Sequence, residues 1–235
     1  MDNPFNFFDK IFYINLDSRT DRREFMEEQF KKYGIVAERF SAVNLTKEEN
    51  DDLVKRGCVF YDDTRPEYAP RIKSCTISHL MILLKAKMMG YENYLVLEDD
   101  ALFDENIIED LKKSIGELKT KDWDMFYLGC NPLEYYKETE NLGRVLRTTT
   151  THSFSVNRNF YNKILDNVEF FRRYPCIDGY IGSLGKDKNN KIYMSLNNLI
   201  IQKGDFSDIE GSYVDYTYSI RDKYIYSVVE KPEGW

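Results

Sequence analysis

The acidic triplet Glu98-Asp99-Asp100 is the feature of the sequence whose residue types and spacing most clearly suggest chemistry. It ends the run Asn93–Glu98, which is apolar enough to predict a buried strand. In an extended chain, residues two positions apart share a side, so Glu98 and Asp100 are expected to face one way and Asp99 the other. Two converging carboxylates could hold a hard divalent cation together with water and phosphate oxygens. The alternative is that Asp99, Asp100 and Asp104 only begin the next helix, whose dipole favours acidic residues.

Three arginines, Arg19, Arg22 and Arg23, follow the first predicted strand. At a junction between a strand and a helix they could face a diphosphate, and the amides of the helix N-terminus would assist them. The alternative is a solvated helix face on which Asp21 and Glu24 are their partners. The sequence leaves both interpretations open.

The two histidines of the chain, His79 and His152, are far apart. His79 follows Ser78 on an apolar helix, and His152 lies where a threonine-rich segment enters a strand. A single histidine in such a place is more often a hydrogen-bonded interior residue than a ligand. The order of these residues does not support a hydrolase triad. Neither G-x-G-x-x-G nor G-x-x-x-x-G-K-[ST] occurs, so the sequence indicates neither a dinucleotide-binding motif nor a phosphate loop.

Strands and helices alternate in the N-terminal half, which predicts an α/β fold with a mostly parallel sheet. The predicted strands are Ile11–Leu16, Ala37–Val43, Asn93–Glu98 and Asp124–Leu128, and later Ser153–Val156, Ile192–Met194 and Leu199–Gln202. Helices are predicted between them, ending at Gly34, Arg56, Gly90 and Leu118, and later over 159–167 and 178–185. Residues 57–73 are predicted to form a long irregular loop. Ligands of open α/β sheets bind beyond the carboxyl ends of the strands, where the acidic triplet is expected.

Composition limits the class of protein. The 235 residues are expected to form a single domain, and the formal net charge of −7 excludes a broadly basic, nucleic-acid-binding surface. No apolar run approaches the roughly 18 residues that a membrane span needs, so membrane contact would be peripheral. The opening residues do not resemble a signal peptide, and the four cysteines are widely spaced. We therefore expect a cytoplasmic protein.

Taken in order, these motifs resemble glycosyltransferase family 25, which includes lipooligosaccharide galactosyltransferases and collagen hydroxylysine galactosyltransferases. The letters YLVLEDD at 94–100 resemble the acidic motif of the family closely. The other blocks are Ile11–Asp17 with Arg22, Arg39–Val43, Ser74–His79, Asp122–Asp124 with Leu128-Gly129, Phe154–Val156, Pro175–Asp178, and Gln202 followed by Ser207–Ile209. The resemblance covers about residues 10–210, and the tyrosine-rich residues 211–235 lie outside it. Asn44, Ser74 and Phe154 depart from the pattern of the family, which has an acid, a glycine and a tyrosine there.

The resemblance implies a GT-A type nucleotide-sugar-binding fold, with a mostly parallel mixed sheet flanked by helices. It implies transfer of a hexose, most often galactose and otherwise glucose, from a UDP-sugar donor with inversion at the anomeric carbon. The acceptor would be a hydroxyl group on a glycan or a hydroxylated protein. The implied cofactor is Mn²⁺ or Mg²⁺.

The resemblance also implies roles for individual residues. Asp100 would bind the metal, and Glu98 would bind the metal or the ribose of the nucleotide. The other expected nucleotide contacts are Asn15, Leu16, Arg19, Arg22 and Ser78. Inversion in one displacement needs a carboxylate that accepts a proton from the acceptor hydroxyl. Asp178 is the first candidate for this base.

Two other aspartates are alternatives for the base, and two other functions are alternatives for the chain. Asp208 could instead cap a turn, and Asp124 could be a strand-start carboxylate that accepts hydrogen bonds from backbone amides. A protein that binds a sugar or a partner without turnover would keep the fold. A nucleotide-sugar hydrolase would release the sugar to water and need no acceptor.

Overall fold

A seven-stranded sheet forms the centre of the described chain in the computed structural model, which describes residues 3–57, 69–167, 176–215 and 227–235. The strands of this sheet are β1 (Lys10–Asn15), β2 (Glu38–Ser41), β3 (Asn93–Glu98), β5 (Met125–Lys137), β6 (Leu142–Asn157), β7 (Ile192–Ser195) and β11 (Ser227–Val228). Two small sheets add β4 (Ala101–Phe103) paired with β8 (Ile200–Gln202), and β9 (Asp205–Ser207) paired with β10 (Ser212–Val214). The helices are α1 (Thr20–Tyr33), α2 (Lys47–Lys55), α3 (Ala69–Met89), α4 (Ile107–Leu118), α5 (Arg158–Leu165) and α6 (Ile177–Ser183), with short 3₁₀ turns at Pro4–Phe7 and Leu184–Lys186.

Strand β6 runs against the direction of its neighbours in the central sheet. β1 pairs in parallel with β2 and β3, and β5 pairs in parallel with β7 and β11. β6 pairs antiparallel with β3, β5 and β7. The prediction of an α/β fold with a mostly parallel mixed sheet is therefore confirmed.

The hydrophobic core has two parts, one on each face of the sheet. Alternate residues of β1 and β3 belong to different parts: Tyr13 and Leu97 lie in one, whereas Phe12 and Val96 lie in the other. α1 and α4 cover the first face, and α3, α5 and α6 cover the second. Covering both faces explains why Asn93–Glu98 is a continuous apolar run, as parallel strands buried on both sides are.

The triplet does not begin a helix. The chain turns at Asp99 and Asp100, and β4 then separates this turn from α4, which begins at Ile107. The helix-start interpretation is therefore wrong for Asp99 and Asp100, whereas Asp104 lies just before α4 and its Oδ1 accepts from the N–H of Asn106 at 2.8 Å. The turn also removes the strict alternation expected of an extended chain.

Two predicted boundaries are also corrected. α3 extends back to Ala69, so residues 69–73 are helical, while 58–68 of the predicted loop lie outside the described residues. β5 and β6 continue well beyond the short strands predicted from the sequence. Their extra length carries many polar residues, among them Thr148–Thr151, which the apolar pattern does not mark as strand.

None of the helices in the described ranges combines the length and apolar character that crossing a bilayer requires.

Candidate active site

A cleft of about 500 Å³ opens where β1 and β3 end. Its walls include the acidic triplet and residues from α3, β6, the start of α6 and the β9–β10 turn. Most of the sequence-predicted site residues line this cleft: Asn15, Leu16, Arg22, Ser78, Glu98, Asp100, Asp178 and Asp208. Arg19 and Asp124 are not among the lining residues. The carboxyl edge of the sheet is thus the part of the fold that collects these polar groups.

Ser78 lies on the inner face of α3, where it holds the chain that follows β2. Its hydroxyl donates to the carbonyl of Ser74 at 2.8 Å and accepts from the backbone N–H of Val43 at 2.9 Å. The Ser74 hydroxyl makes the equivalent pair with the Pro70 carbonyl and the Leu45 N–H. Both hydroxyls therefore shape the wall of the cleft by fixing the loop before α2.

Asp99 is neutralised by Arg22 at the edge of the sheet. Nη1 of Arg22 lies 2.7 Å from Oδ1 of Asp99, and the Asn15 amide donates to Oδ2 of Asp99 at 2.8 Å. Burial raises the pKa of Asp99, although Arg22 and Asn15 favour its charged form. Arg39 in turn donates to Oδ1 of Asn15 at 2.9 Å. Asn15 thus holds Asp99 in place, and both groups of its side-chain amide are used within the protein.

Within the acidic triplet, Asp100 is the carboxylate whose negative charge is least offset by neighbouring groups. Its Oδ2 lies 3.6 Å from Arg22 and accepts a long hydrogen bond of 3.4 Å from Gln202, and its Oδ1 is buried with no hydrogen-bond partner among the described residues. Burial and the negative charge of Glu98 outweigh the effect of Arg22 and raise the pKa of Asp100 to about 7. A cation beside Asp100 would supply the missing positive charge. The Oδ1 atom of Asp100, which has no hydrogen-bond partner among the described residues, fits an oxygen-liganded ion such as Mn²⁺ or Mg²⁺.

Glu98 is held from the other side by α3 and β6. Its Oε1 lies 3.0 Å from Nε2 of His79 and accepts a 2.7 Å hydrogen bond from the Thr151 hydroxyl. Burial opposes the charged form, but the contacts with His79 and Thr151 leave the pKa of Glu98 below its ordinary value. Glu98 is therefore a positioned, charged carboxylate at the cleft, with a negative charge that contributes to the raised pKa of Asp100.

Two arginines connect α1 with the hairpin formed by β9 and β10. Nη1 of Arg19 contacts Oδ2 of Asp208 at 2.6 Å, and Nη2 of Arg22 donates to the Phe206 carbonyl at 2.9 Å. Arg19 also makes a two-point pair with Asp21. The structure thus places Arg19 behind the cleft as a support for the hairpin, whereas Arg22 reaches the cleft.

The three candidate bases occupy different environments. Asp178 is half-buried in the first turn of α6, and its Oδ1 accepts from the N–H of Gly179 at 2.7 Å. Asp208 lies in the β9–β10 turn, paired with Arg19. Asp124 stands before β5, where its Oδ2 accepts from the Lys191 N–H at 2.6 Å and its Oδ1 from Asn159 at 3.1 Å. Asp124 thus stands at the start of a strand and accepts a hydrogen bond from a backbone amide, as its structural interpretation predicts.

His152 has a structural role on the wall of the sheet. Its Nε2 lies 3.1 Å from the Ile200 carbonyl, and burial lowers its pKa, so the ring is neutral. Gly129 lets these groups approach, because a Cβ there would stand 1.8 Å from the Ile200 oxygen. β5 and β8 can therefore meet at this point only with glycine.

Sequence reasoning missed several residues of the cleft: Cys75, Asn131, Thr150, Thr151 and Gln202. Thr150 has a φ of 67°, which is unusual for a β-branched residue. Gln202 stands in a block that resembles the family, but the block suggested no role for it. The spacing of Cys75 and His79, one helical turn apart, was the available signal for the α3 side of the cleft.

Comparison with known proteins identifies the family. Residues 8–203 match the family model described as "Glycosyltransferase family 25 (LPS biosynthesis protein)". A "Glycosyltransferase 25 family member" of Aedes aegypti is 30% identical over 202 residues, which cover 79% of this chain and 32% of that protein. "Procollagen galactosyltransferase 1" of Danio rerio is 27% identical over 146 residues, covering 59% of this chain and 24% of that protein.

The human "Inactive glycosyltransferase 25 family member 3" is similar to the same degree. It is 27% identical over 139 residues, which cover 56% of this chain and 23% of that protein. The chain spans at most about a third of the length of these relatives. The family match itself covers most of the chain, from before β1 to just after β8. The chain therefore belongs to glycosyltransferase family 25.

Proposed function

We propose that the chain transfers a hexose from a UDP-sugar to a hydroxyl group of a glycan or a protein, with inversion and with the help of Mn²⁺ or Mg²⁺. The observation that carries this proposal is the under-compensated carboxylate of Asp100, in a cleft at the carboxyl ends of parallel strands. A buried carboxylate without a partner is costly for a fold unless a ligand completes it. The similarity to a procollagen galactosyltransferase of Danio rerio supports galactose as the hexose.

The donor set fits the cation that the family implies. Asp100 would hold it through the oxygen that has no hydrogen-bond partner, and Glu98 stands close enough to influence the charge of Asp100. The cation would neutralise the diphosphate that leaves with the nucleotide. Arg22, already shared between Asp99 and Asp100, would contribute a fixed positive charge beside it. Asn15 would act by fixing Asp99, and Leu16 would offer apolar surface to the nucleotide.

Asp178 is the proposed general base. It lines the same cleft as Glu98 and Asp100. Its carboxylate would accept the proton of the acceptor hydroxyl as that oxygen attacks the anomeric carbon. Asp208 remains the alternative, but its Oδ2 is occupied by the contact with Arg19 at 2.6 Å. Asp124 is not part of the proposal, because its oxygens are used at the opposite end of β5.

A binding protein without turnover is the second candidate, because one relative of similar identity is named inactive. Such a protein would keep the cleft and bind a nucleotide. It would give no product with any sugar donor. A hydrolase would release UDP at the same rate with and without an acceptor.

The deciding experiment follows UDP release from a panel of UDP-sugars, with Mn²⁺ or with a chelator, in the presence and absence of simple glycans. We expect release from one sugar that depends on Mn²⁺. Asp100→Ala should abolish this release and also Mn²⁺-assisted UDP binding. Asp122→Asn, which alters an exposed aspartate before β5, is the matched control. Undiminished Mn²⁺-assisted binding of UDP to Asp100→Ala would overturn the metal assignment.

Asp178→Asn separates binding from transfer. We expect normal UDP binding and loss of transfer, because the amide cannot accept a proton. Asp208→Asn should keep transfer but weaken the Arg19 contact. Full transfer by Asp178→Asn would move the base to Asp208.

A further inference from the structure

One cluster in the cleft contains donor atoms that a purely oxygen-liganded cation does not require. Cys75 and His79 lie one turn apart on α3, and Glu98 at the end of β3 faces them. One donor atom from each residue, a sulfur, a ring nitrogen and a carboxylate oxygen, lies within 4.8 Å of the other two. We propose that Cys75, His79 and Glu98 form a transition-metal site that prefers Zn²⁺ or a similar borderline ion. This inference does not depend on the proposed glycosyl transfer.

The distances suit a zinc ion after a small adjustment. Zinc binds nitrogen and oxygen at about 2.0–2.2 Å and sulfur at about 2.3 Å, so two ligand atoms of a tetrahedral site stand roughly 3.3–3.6 Å apart. His79 Nε2 and Glu98 Oε1 are 3.0 Å apart in the structure, close to that spacing. The Cys75 sulfur lies within 4.8 Å of the other two donor atoms, so it would have to approach by up to about 1.2–1.5 Å to complete the set.

The surroundings hold two of the three ligands in place. The His79 ring is 2% exposed and stacks on Phe154, with ring centroids 5.5 Å apart. The Thr151 hydroxyl donates to Glu98 at 2.7 Å, as partners of metal ligands commonly do. All three residues line the cleft, so a ligand in the cleft could supply a fourth donor atom. Three protein ligands with one open position are typical of reactive rather than structural zinc sites.

Donor type separates this site from the one proposed at Asp100. A thiolate and an imidazole favour Zn²⁺ and other borderline ions, whereas carboxylates alone favour Mg²⁺ and Mn²⁺. Glu98 is the residue common to both groups. The α3 side of the cleft would therefore select a different metal from the Asp100 side.

Charge balance also favours a cation here. On binding, the sulfur–proton bond is exchanged for a sulfur–metal bond, and one proton is released to solvent. The metal then offsets the negative charge of Glu98.

Cobalt absorption tests the site without any sugar donor. The metal-free, reduced protein is titrated with Co²⁺, and we expect a thiolate-to-cobalt charge-transfer band in the near ultraviolet that saturates at one equivalent and is removed by Zn²⁺. Cys75→Ser should abolish the band. Cys176→Ser is the matched control, since Cys176 lines the same cleft but is outside the cluster, and it should keep the band. A band that survives in Cys75→Ser, or none in the unaltered protein, would overturn the proposal.

A second measurement covers the case in which Cys75→Ser does not fold. X-ray absorption of the zinc-loaded, unaltered protein should show one sulfur and otherwise nitrogen or oxygen ligands, and a shell without sulfur would overturn the assignment.

Thr151→Val should weaken Zn²⁺ binding about 10-fold through the lost contact with Glu98. Thr149→Val, which lines the cleft without contacting Glu98 in the described structure, should leave the affinity unchanged. Equal effects of the two threonine variants would contradict the role given to Glu98.

Discussion

Asp124 and Asp100 are both partly or largely buried aspartates at strand ends, and the protein treats them differently. At the start of β5, a backbone N–H and the Asn159 amide each donate to one oxygen of Asp124. After β3, Asp100 has one oxygen without a partner and shares Arg22 with Asp99. Both oxygens of Asp124, at the amino end of the sheet, accept hydrogen bonds from the chain, whereas Oδ1 of Asp100, at the carboxyl end, has no such partner among the described residues.

The difference shows how a structural carboxylate can be distinguished from a ligand-binding one. Burial alone does not separate them, because it raises the pKa of both. The number of hydrogen-bond donors that reach each carboxylate separates the two aspartates, since each buried polar atom needs a partner from the chain, from water or from a ligand. The following predictions test this contrast between the two ends of the sheet.

Arg22→Met should have the largest effect on stability. It leaves Asp99 and Asp100 without their shared cation, and removing one partner of a buried ion pair costs about 3–5 kcal/mol of unfolding free energy. Urea denaturation at neutral pH without divalent ions measures the loss. Arg23→Met removes an exposed pair with Glu27 on the same helix and should be indistinguishable from the unaltered protein. Equal losses in the two variants would mean that the Asp99–Asp100 pair needs no compensation.

Asp100→Asn should stabilise the metal-free protein at alkaline pH. The pKa of Asp100 is about 7 in the folded chain and about 3.9 in an unfolded one, so the folded state binds more protons between these values. Stability of the unaltered protein therefore falls as pH rises from about 4 to about 7, and Asn removes this slope. We expect a gain of up to about 4 kcal/mol at about pH 8 that vanishes near pH 4.

Mn²⁺ sharpens the same comparison. Added Mn²⁺ should stabilise the unaltered protein at about pH 8 and have a much smaller effect on Asp100→Asn, because the substitution removes the carboxylate proposed to bind the ion. Thermal unfolding at several pH values, with and without Mn²⁺, provides the measurement. Identical pH profiles for the two proteins would show that Asp100 is compensated after all.

Asp124→Ala should have the smallest effect on the free energy of unfolding. It should destabilise the protein, whereas Asp100→Asn stabilises it. It leaves the Lys191 N–H without its acceptor and should cost about 1 kcal/mol, independent of Mn²⁺. UDP release per folded molecule should be unchanged. Loss of turnover in a folded Asp124→Ala protein would place Asp124 back among the candidate bases.

The layered architecture could be predicted because its signals are local. The continuous apolar run Asn93–Glu98 and the alternation of strands with helices indicate a sheet covered on both faces, and the structure has one. The length of β6 could not be predicted, because its threonines carry no apolar alternation. Thr148 and Thr149 are strand because they pair with Pro132 and Asn131 of β5, and a local sequence pattern does not reveal this pairing.

The site could be predicted only in part for the same reason. Arg22, Asp100 and Asp178 were assigned to one cleft from motifs, and the structure brings them together. The contacts of Glu98 with His79 and Thr151 join residues from three elements, and no spacing along the chain reveals them. Ser78 was expected to face the nucleotide, but its hydroxyl bonds also hold the loop before α2 in place.

The long separation in sequence between the acidic triplet and its partners has a consequence for folding kinetics. The acidic triplet lies at the end of β3 and in the turn after it. Thr151, which donates to Glu98, follows Glu98 by 53 residues, and the Phe206 carbonyl, which accepts from Arg22, follows Arg22 by 184 residues. Contacts that close such long loops form late, since their entropic cost precedes their gain. During synthesis, the carboxylates of the acidic triplet therefore leave the ribosome well before β6 and the β9–β10 hairpin, which complete their surroundings.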